Sequence, residues 1–173
     1  MSRLSAAKAA SKMGDMSKRI IGKPDGGNLR VAIVVSRFND FITSRLVAGA
    51  RDALTRHNVA DERITEIQVP GVWEMPPVVA QLAAAGKHDA IVCLGCVIRG
   101  QTSHHLYVAG EGLKGIANVA ASAGIAVGLG VLTTDTVEQA VDRAGAKAGN
   151  KGADAALAAL ETANLLRQLR AEP

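Results

Sequence analysis

The residues with the clearest capacity for chemistry lie together in the stretch Arg-Gly-Gln-Thr-Ser-His-His, residues 99–105. Gly100 allows the backbone to approach a ligand closely. The next three residues present backbone N–H groups at the start of a predicted helix, where the helix dipole is positive. That combination is typical of a phosphate cradle. A simpler interpretation, in which Thr102 or Ser103 only caps the helix, stays open.

Two adjacent histidines end this stretch. The helix dipole disfavours a protonated imidazole there, and a neutral one at His104 or His105 can transfer protons near neutral pH. The alternative for each is a surface or capping histidine. Adjacent side chains diverge, and no carboxylate lies at helical spacing from them, so the sequence predicts no metal site.

Aromatic and acidic side chains occupy two further segments. Phe38 follows the first predicted strand, and Trp73 and Glu74 follow the second. Aromatic residues make up only 2% of the chain, so rings at strand ends are informative. A planar heterocycle held between such rings and a carboxylate fits this pattern. The alternatives are that Phe38 belongs to the core and that Glu74 caps a helix.

Strand-like and helix-like segments alternate from residue 29 onward, which predicts an α/β fold. The expected architecture is a three-layer α/β/α sandwich with a four-stranded parallel sheet, of the flavodoxin-like kind. The predicted strands are 29–36, 64–70, 90–98 and 125–133. The predicted helices are about 40–57, 76–86, 105–123, one that begins near Asp135, and one that follows the turn 148–152 and ends near Arg170.

Ligands of such sheets bind beyond the carboxyl ends of the strands. Most of the unusual polar and aromatic residues fall in the four segments that follow the predicted strands, SRFND, PGVWEMPP, RGQTSHH and TTDT. This clustering predicts a small-molecule site. Local signals also predict a left-handed Asn58, helix ends at Gly86 and Gly124, and a near capping box from Asp135 to Glu138.

Positive charge is concentrated at the amino terminus. Residues 1–28 carry six basic and two acidic side chains. Their excess of four positive charges equals the formal net charge of +4 of all 173 residues. We interpret them as a mobile tail or semi-ordered arm, with a transit peptide as the minority alternative, and residues 29–173 as one domain. The balanced domain argues against nucleic-acid binding, and no apolar run approaches membrane-spanning length.

The two cysteines lie on the third predicted strand, at Cys93 and Cys96. An odd separation places their side chains on opposite faces of a strand. No second Cys or Cys/His pair is present to complete a zinc site. Buried free thiols in a reducing compartment are the favoured interpretation.

Five segments in this order together resemble the lumazine synthase family over about residues 29–170: VVSRFNDFIT, VPGVWEMP, GCVIRGQTSHHLYV, GVLTTDTVEQAVDRAG and AGNKG. The resemblance implies condensation of 5-amino-6-(D-ribitylamino)uracil with 3,4-dihydroxy-2-butanone 4-phosphate. The products are 6,7-dimethyl-8-ribityllumazine, phosphate and water. Because the substrate's own amine is the nucleophile, no cofactor is implied.

The resemblance also implies roles for individual residues. His104 matches the proton-transfer histidine. The positions implied to contact the ribitylaminouracil are Phe38, Val72, Trp73, Glu74, Cys96, Val97, Ile98, Leu129 and Lys151. The positions implied to hold the butanone phosphate are Gln101, Thr102 and Arg143.

Three of these residues depart from the family's usual choices. Val72 stands in place of a small residue, Cys96 where Gly, Ala or Thr is common, and Leu129 where many members have Phe. These departures are expected to affect substrate affinity more than reaction type.

The resemblance further implies a homopentamer in which Leu129, Arg143 and Lys151 complete a neighbour's site. A 60-subunit icosahedral shell, which can enclose riboflavin synthase, is a further expectation, and the expected location is cytoplasmic. Two alternatives stay open: a non-catalytic flavin- or nucleotide-binding module, and a protein whose role is to form the shell.

Overall fold

The computed structural model describes residues 18–172. The strands are β1 (Val31–Ser36), β2 (Ile64–Val69), β3 (Ala90–Ile98) and β4 (Ala126–Thr134). The α-helices are α1 (Asp40–Arg56), α2 (Met75–Ala85), α3 (His104–Ala123), α4 (Val137–Arg143) and α5 (Lys151–Ala171), and a 3-10 turn covers Asp61–Arg63. Strands and helices therefore alternate as the sequence predicts.

All four strands are parallel and lie in the order β2-β1-β3-β4. Two apolar clusters cover the two faces of this sheet. The first packs α1, α4 and α5 against one face, and the second packs α2 and α3 against the other. The structure confirms the three-layer, flavodoxin-like α/β fold with a four-stranded parallel sheet.

β3 is buried over its first seven residues, and only Val97 and Ile98 at its carboxyl end are half-buried. Its side chains alternate between the two clusters, since Cys93 belongs to one and Cys96 to the other. Both cysteines are buried free thiols, as predicted. Burial raises the pKa of Cys93 to about 12 and that of Cys96 to about 11, so both thiols stay protonated near neutral pH.

β4 differs from β3 because it forms an edge of the sheet and is fully covered on one face only, while Val127 and Val131 on the other face are half-buried. Gly128 and Gly130 let the backbone of α5 approach closely, since a side chain at either position would overlap Lys151 or Ala155. On the opposite face Leu129 is 50% exposed. An apolar surface is therefore open beside α3.

The connection from α4 to α5 depends on Asn150, which the sequence analysis treated only as part of a turn. Its side-chain oxygen accepts hydrogen bonds from the N–H groups of Gly152 and Ala153, at 2.8 and 3.2 Å. Its amide donates to the carbonyl oxygens of Arg45 and Ala144, at 2.8 and 3.3 Å. One side chain thus begins α5 and joins it to α1 and α4.

Three local predictions at helix ends are confirmed and one is wrong. Asn58 adopts a left-handed conformation, and Gly86 and Gly124 end α2 and α3 in the same conformation. The capping box does not begin at Asp135. Thr136 caps α4 instead by accepting from the N–H of Gln139 at 3.2 Å, because the helix starts one residue later than predicted.

Residues 18–27 run along the outer side of α5. Asn164 donates to the carbonyl oxygens of Lys23 and Asp25, at 2.8 and 2.7 Å. Gly22 packs so tightly against the backbone of Glu161 that no side chain fits there. Residues 1–17 of the predicted tail lie outside the described residues.

Candidate active site

A cleft of about 740 Å³ opens at the carboxyl ends of β1, β2 and β3. The chain leaves β1 toward α1 on one face of the sheet and leaves β3 toward α3 on the other, so the two connections diverge there. Such a switch point is where parallel sheets bind ligands. The cleft is lined by Ser36, Phe38, Pro70, Gly71, Val72, Trp73, Glu74, Cys96, Val97, Ile98, Gly100, Thr102, His104, His105, Tyr107 and Val108.

The loop after β1 holds Phe38 over this opening. The backbone N–H of Phe38 donates to the carbonyl oxygen of Pro70 at 3.1 Å, which ties the loop to the end of β2. Asn39 adopts a left-handed conformation and its side chain donates to the carbonyl oxygen of Cys96 at 3.0 Å, which ties the loop to β3. The Phe38 ring is nevertheless 71% exposed, so it does not belong to the core.

The turn between β2 and α2 supplies a second ring and a carboxylate. Trp73 is 55% exposed. Glu74 occupies the N-cap position of α2, yet its side chain makes no capping hydrogen bond. One carboxylate oxygen lies beside Gly71, where an added Cβ would be 3.0 Å away. The carboxylate therefore faces the cleft, half-buried and free of a capping role.

Val72 lies in the same turn but its side chain is only 3% exposed. Its methyl groups fill the space beside Gly95 on β3 and Gly112 on α3, where an added Cβ would come within 2.7 and 2.9 Å. The larger side chain is thus accommodated by two glycines behind the cleft wall. Val97 and Ile98 at the end of β3 are half-buried and line the same wall.

The loop from β3 to α3 forms the opposite wall. A Cβ at Gly100 would meet no atom within 4 Å, so the backbone there is open to a ligand. Ser103 occupies the N-cap position of α3, but no side chain caps this helix. The N-terminal end of α3 therefore faces the cleft without the competing side chain that the capping interpretation requires.

The two histidines differ in their surroundings. His105 is half-buried, and its Nδ1 lies 3.0 Å from the carbonyl oxygen of Thr102. His104 is exposed, and its ring has no hydrogen-bond partner within residues 18–172. Both rings line the cleft. His104 is thus the histidine with both ring nitrogens available.

Four predicted site residues do not line the cleft of the single chain. Gln101 is exposed on the loop between two lining residues. Leu129 is on the open face of β4, and Arg143 ends α4 and donates to the carbonyl oxygen of Gln139 at 3.1 Å. Lys151 begins α5 and pairs with Asp154 at 2.7 Å.

The fourth strand end also differs from expectation. The segment TTDT was predicted to join the other three, but β4 is an edge strand and none of these residues lines the cleft. Asp135 pairs with Arg99 instead, at 3.5 Å.

Sequence reasoning did not select Ser36, Tyr107 or Val108 as site residues, although all three line the cleft. Tyr107 follows His104 by three positions on α3, and this spacing places the two side chains on neighbouring parts of one helix face. That signal was available in the sequence. Ser36 begins the segment SRFND, which the strand ends had already indicated, and its hydroxyl is buried and without a hydrogen-bond partner within the described chain.

The sequence model of the 6,7-dimethyl-8-ribityllumazine synthase family matches residues 28–167. The chain belongs to this family. Membership in the lumazine synthase family indicates a role in riboflavin biosynthesis and a transferase-type protein. The match includes every strand and every residue that lines the cleft.

Lumazine synthases bind small substrates and form oligomers. The residues described here show no group of three or more His, Cys, Asp or Glu side chains that could hold a metal ion. None of the helices within residues 18–172 combines the length and the apolar character needed to cross a membrane.

Proposed function

We propose that the chain condenses 5-amino-6-(D-ribitylamino)uracil with 3,4-dihydroxy-2-butanone 4-phosphate. The reaction forms 6,7-dimethyl-8-ribityllumazine and releases phosphate and water. The observation that carries this proposal is one cleft that contains an exposed Phe38 ring, a Glu74 carboxylate that does not cap its helix, an uncapped helix start and a His104 ring with no hydrogen-bond partner within residues 18–172.

The ribitylaminouracil occupies the side of the cleft near β1 and β2. Its pyrimidine ring stacks on Phe38, which offers an exposed aromatic face. Glu74 accepts hydrogen bonds from the ribityl hydroxyls, since its carboxylate is not engaged in capping α2. Backbone at residues 72–73 and the apolar wall of Val97 and Ile98 complete this side.

The butanone phosphate occupies the opposite side, at the start of α3. Open backbone at Gly100 and the hydroxyl of Thr102 accompany the positive end of a 20-residue helix. Gln101 lies on the same loop. Phosphate held here is positioned to leave as the reaction proceeds.

His104 transfers the protons. The amine of the uracil attacks the ketone carbonyl, and loss of water gives an imine. Loss of a proton from the carbon that carries the hydroxyl, with elimination of phosphate from the next carbon, gives an enol that tautomerises to a new ketone. Attack of the second amine on this ketone, with loss of a second water, closes the ring. Each step moves a proton, and a histidine with both nitrogens available can serve as acceptor and donor in turn. Holding two reactants in one cleft supplies the rest of the acceleration.

A second copy of the chain completes the site. Leu129, Arg143 and Lys151 lie outside the cleft of their own subunit, and Leu129 belongs to an uncovered apolar face of β4. In a homopentamer these residues reach a neighbour's cleft, with Arg143 near the phosphate. Light scattering on the purified protein distinguishes a pentamer from a 60-subunit shell. Co-purification with riboflavin synthase tests whether such a shell encloses that enzyme.

The test is a lumazine-formation assay. Purified protein is mixed with both substrates, and product absorbance and fluorescence are followed against a control without protein, since the reaction also proceeds slowly alone. A clear acceleration supports the proposal. A rate equal to the control from folded protein contradicts it, and retained binding of the ribitylaminouracil would then support a non-catalytic binding module.

A further inference from the structure

The position of His105 determines which of its ring nitrogens carries hydrogen. Nδ1 lies 3.0 Å from the carbonyl oxygen of Thr102. A carbonyl oxygen can only accept a hydrogen bond, so Nδ1 must donate. In the neutral imidazole the other nitrogen, Nε2, then has no hydrogen and is an acceptor. The ring is therefore held in one tautomer with its acceptor nitrogen free.

The same contact restricts how the ring is oriented. Thr102 belongs to the loop that lines the cleft, and His105 lies three residues later, in the first turn of α3. The hydrogen bond closes this segment on itself, and the ring is half-buried rather than freely exposed. An acceptor held in this way costs less conformational entropy on ligand binding than one on a mobile side chain.

Few other acceptors in the cleft are available to a ligand. Glu74 supplies a carboxylate on the side of β2, whereas the Ser36 hydroxyl is buried. On the α3 side the uncapped helix start presents donors. The Nε2 atom of His105 therefore adds an oriented acceptor to the α3 side of the cleft, beside the His104 ring and the hydroxyls of Thr102 and Tyr107.

We propose that His105 is a second substrate-contacting histidine: its Nδ1–H holds the Thr102 carbonyl, and its Nε2 accepts a hydrogen bond from a hydroxyl or amine of the substrate. This inference rests on the proposed function, in which both substrates carry hydroxyl or amine donors. It assigns His105 to substrate binding and leaves proton transfer to His104.

Two substitutions separate this contact from a purely structural role. In His105→Asn the side-chain amide reproduces the Nδ1 donor to Thr102 but lacks an acceptor at the position of Nε2. His105→Phe keeps the ring shape and removes both nitrogens. Steady-state kinetics with each substrate varied in turn, together with melting temperatures, are measured for both variants and the wild type in their assembled form.

For His105→Asn we expect a melting temperature near that of the wild type and a KM raised roughly 5- to 20-fold for one substrate, the loss typical of one hydrogen bond. The expected change in kcat is smaller. His105→Phe should show at least the same rise in KM. If the KM values of either variant equal those of the wild type, the inference is overturned. If only the melting temperature falls, His105 is a structural anchor and the inference is likewise overturned.

The same data keep this inference distinct from the proposed function. A wild-type rate equal to that without protein overturns both. Acceleration by the wild type with unchanged KM in His105→Asn overturns only the role of His105.

Discussion

The amino ends and the carboxyl ends of the strands, called here the amino edge and the carboxyl edge of the sheet, use polar side chains in opposite ways. At the amino ends of the strands, Asp89 accepts hydrogen bonds from the backbone N–H and Nε of Arg30, at 2.8 and 3.1 Å, and pairs with Arg167 at 3.2 Å. Arg170 donates to the carbonyl oxygen of Gly124, which ends α3. These charges are engaged with one another or with a helix end.

At the carboxyl ends Arg99 pairs with Asp135, but several groups around the cleft are left without such partners. Glu74 does not cap its helix, the His104 ring has no hydrogen bond within residues 18–172, and Phe38 is exposed. Paired groups stabilise a fold, whereas unpaired groups around a cavity are available to a ligand. The comparison favours a binding role for the carboxyl edge and a stabilising role for the amino edge, where the buried Nδ1 of His88 is an exception without a hydrogen-bond partner among the described residues. The predictions below test that division.

The largest expected effect is on the reaction. His104→Ala should lower kcat by roughly 10²- to 10⁴-fold, the usual contribution of a positioned acid–base group. The melting temperature should not change, because the ring is exposed and makes no hydrogen bond among the described residues. Steady-state kinetics measure kcat, and His57→Ala at the end of α1 serves as a matched control. A decrease in kcat smaller than tenfold would show that His104 is not the principal proton carrier.

A smaller effect is expected from Phe38→Ala. Stacking of a heterocyclic base on an aromatic side chain contributes about 1–3 kcal/mol, so KM for the ribitylaminouracil should rise roughly 10- to 100-fold. KM for the butanone phosphate should change less. Phe41→Ala provides the control, since Phe41 is also a partly exposed ring, at 49%, but does not line the cleft. Equal effects of the two substitutions would contradict stacking on Phe38.

At the opposite edge, Asp89→Asn should affect stability and leave kcat unchanged. Its carboxylate holds two arginines that are about half exposed, so the expected loss is about 1 kcal/mol in the free energy of unfolding. Chemical denaturation measures it. Asp52→Asn removes a more exposed ion pair with Arg56 and should lower stability less. A loss of activity without a loss of stability in Asp89→Asn would break the division between the edges.

The amino edge should also respond to acid. Burial lowers the pKa of His88 from its ordinary value of 6.5, and the nearby Arg30 lowers it further. The unfolded chain then binds more protons than the folded one, so stability falls as the pH drops below 6.5 toward the folded-state pKa. His88→Asn should reduce this dependence between pH 6.5 and 5, as measured by melting temperature. An unchanged dependence of melting temperature on pH in His88→Asn would show that other groups cause the loss of stability in acid.

Asp89 adds to this acid sensitivity at lower pH. Burial opposes its ionisation, but hydrogen bonds and charge from Arg30 outweigh burial and hold its pKa below the ordinary 3.8. A carboxylate with a lowered pKa stabilises the fold above its unfolded value, and this contribution is lost as the pH falls through the folded-state pKa. Protonation of His88 and of Asp89 therefore lowers the stability of the fold as the pH falls.

Some features of the fold could be predicted because they depend on neighbours in sequence. β3 covers Ala90–Ile98 as predicted, since a continuous apolar run bounded by polar residues has few other placements. Gly86 and Gly124 end their helices as predicted, because glycine adopts the left-handed conformation without steric cost. The positions of Phe38, Trp73 and Glu74 at one edge followed from strand–helix alternation alone.

Other features depended on contacts between residues far apart in the chain. Asn150 looked like part of a turn, yet its amide bonds to Arg45, more than a hundred residues away. Ser36 could be placed near the site only through the segment SRFND, and the burial of its hydroxyl beside the cleft depends on how β1 packs beside β3. Val72 was noted only as a larger residue in place of a small one, and Gly95 and Gly112 explain why its side chain is buried.

The sequence by itself determined the α/β class and the family and predicted the residues of the candidate site, because each depends on periodicity or on short motifs. The tertiary structure decided which of those residues meet. Strand order β2-β1-β3-β4 places the cleft between β1 and β3 and leaves β4 at the edge, so Thr102 and His104 join Phe38 while Leu129 faces away. Alternation of strands and helices is compatible with several strand orders, and long-range packing selects one of them.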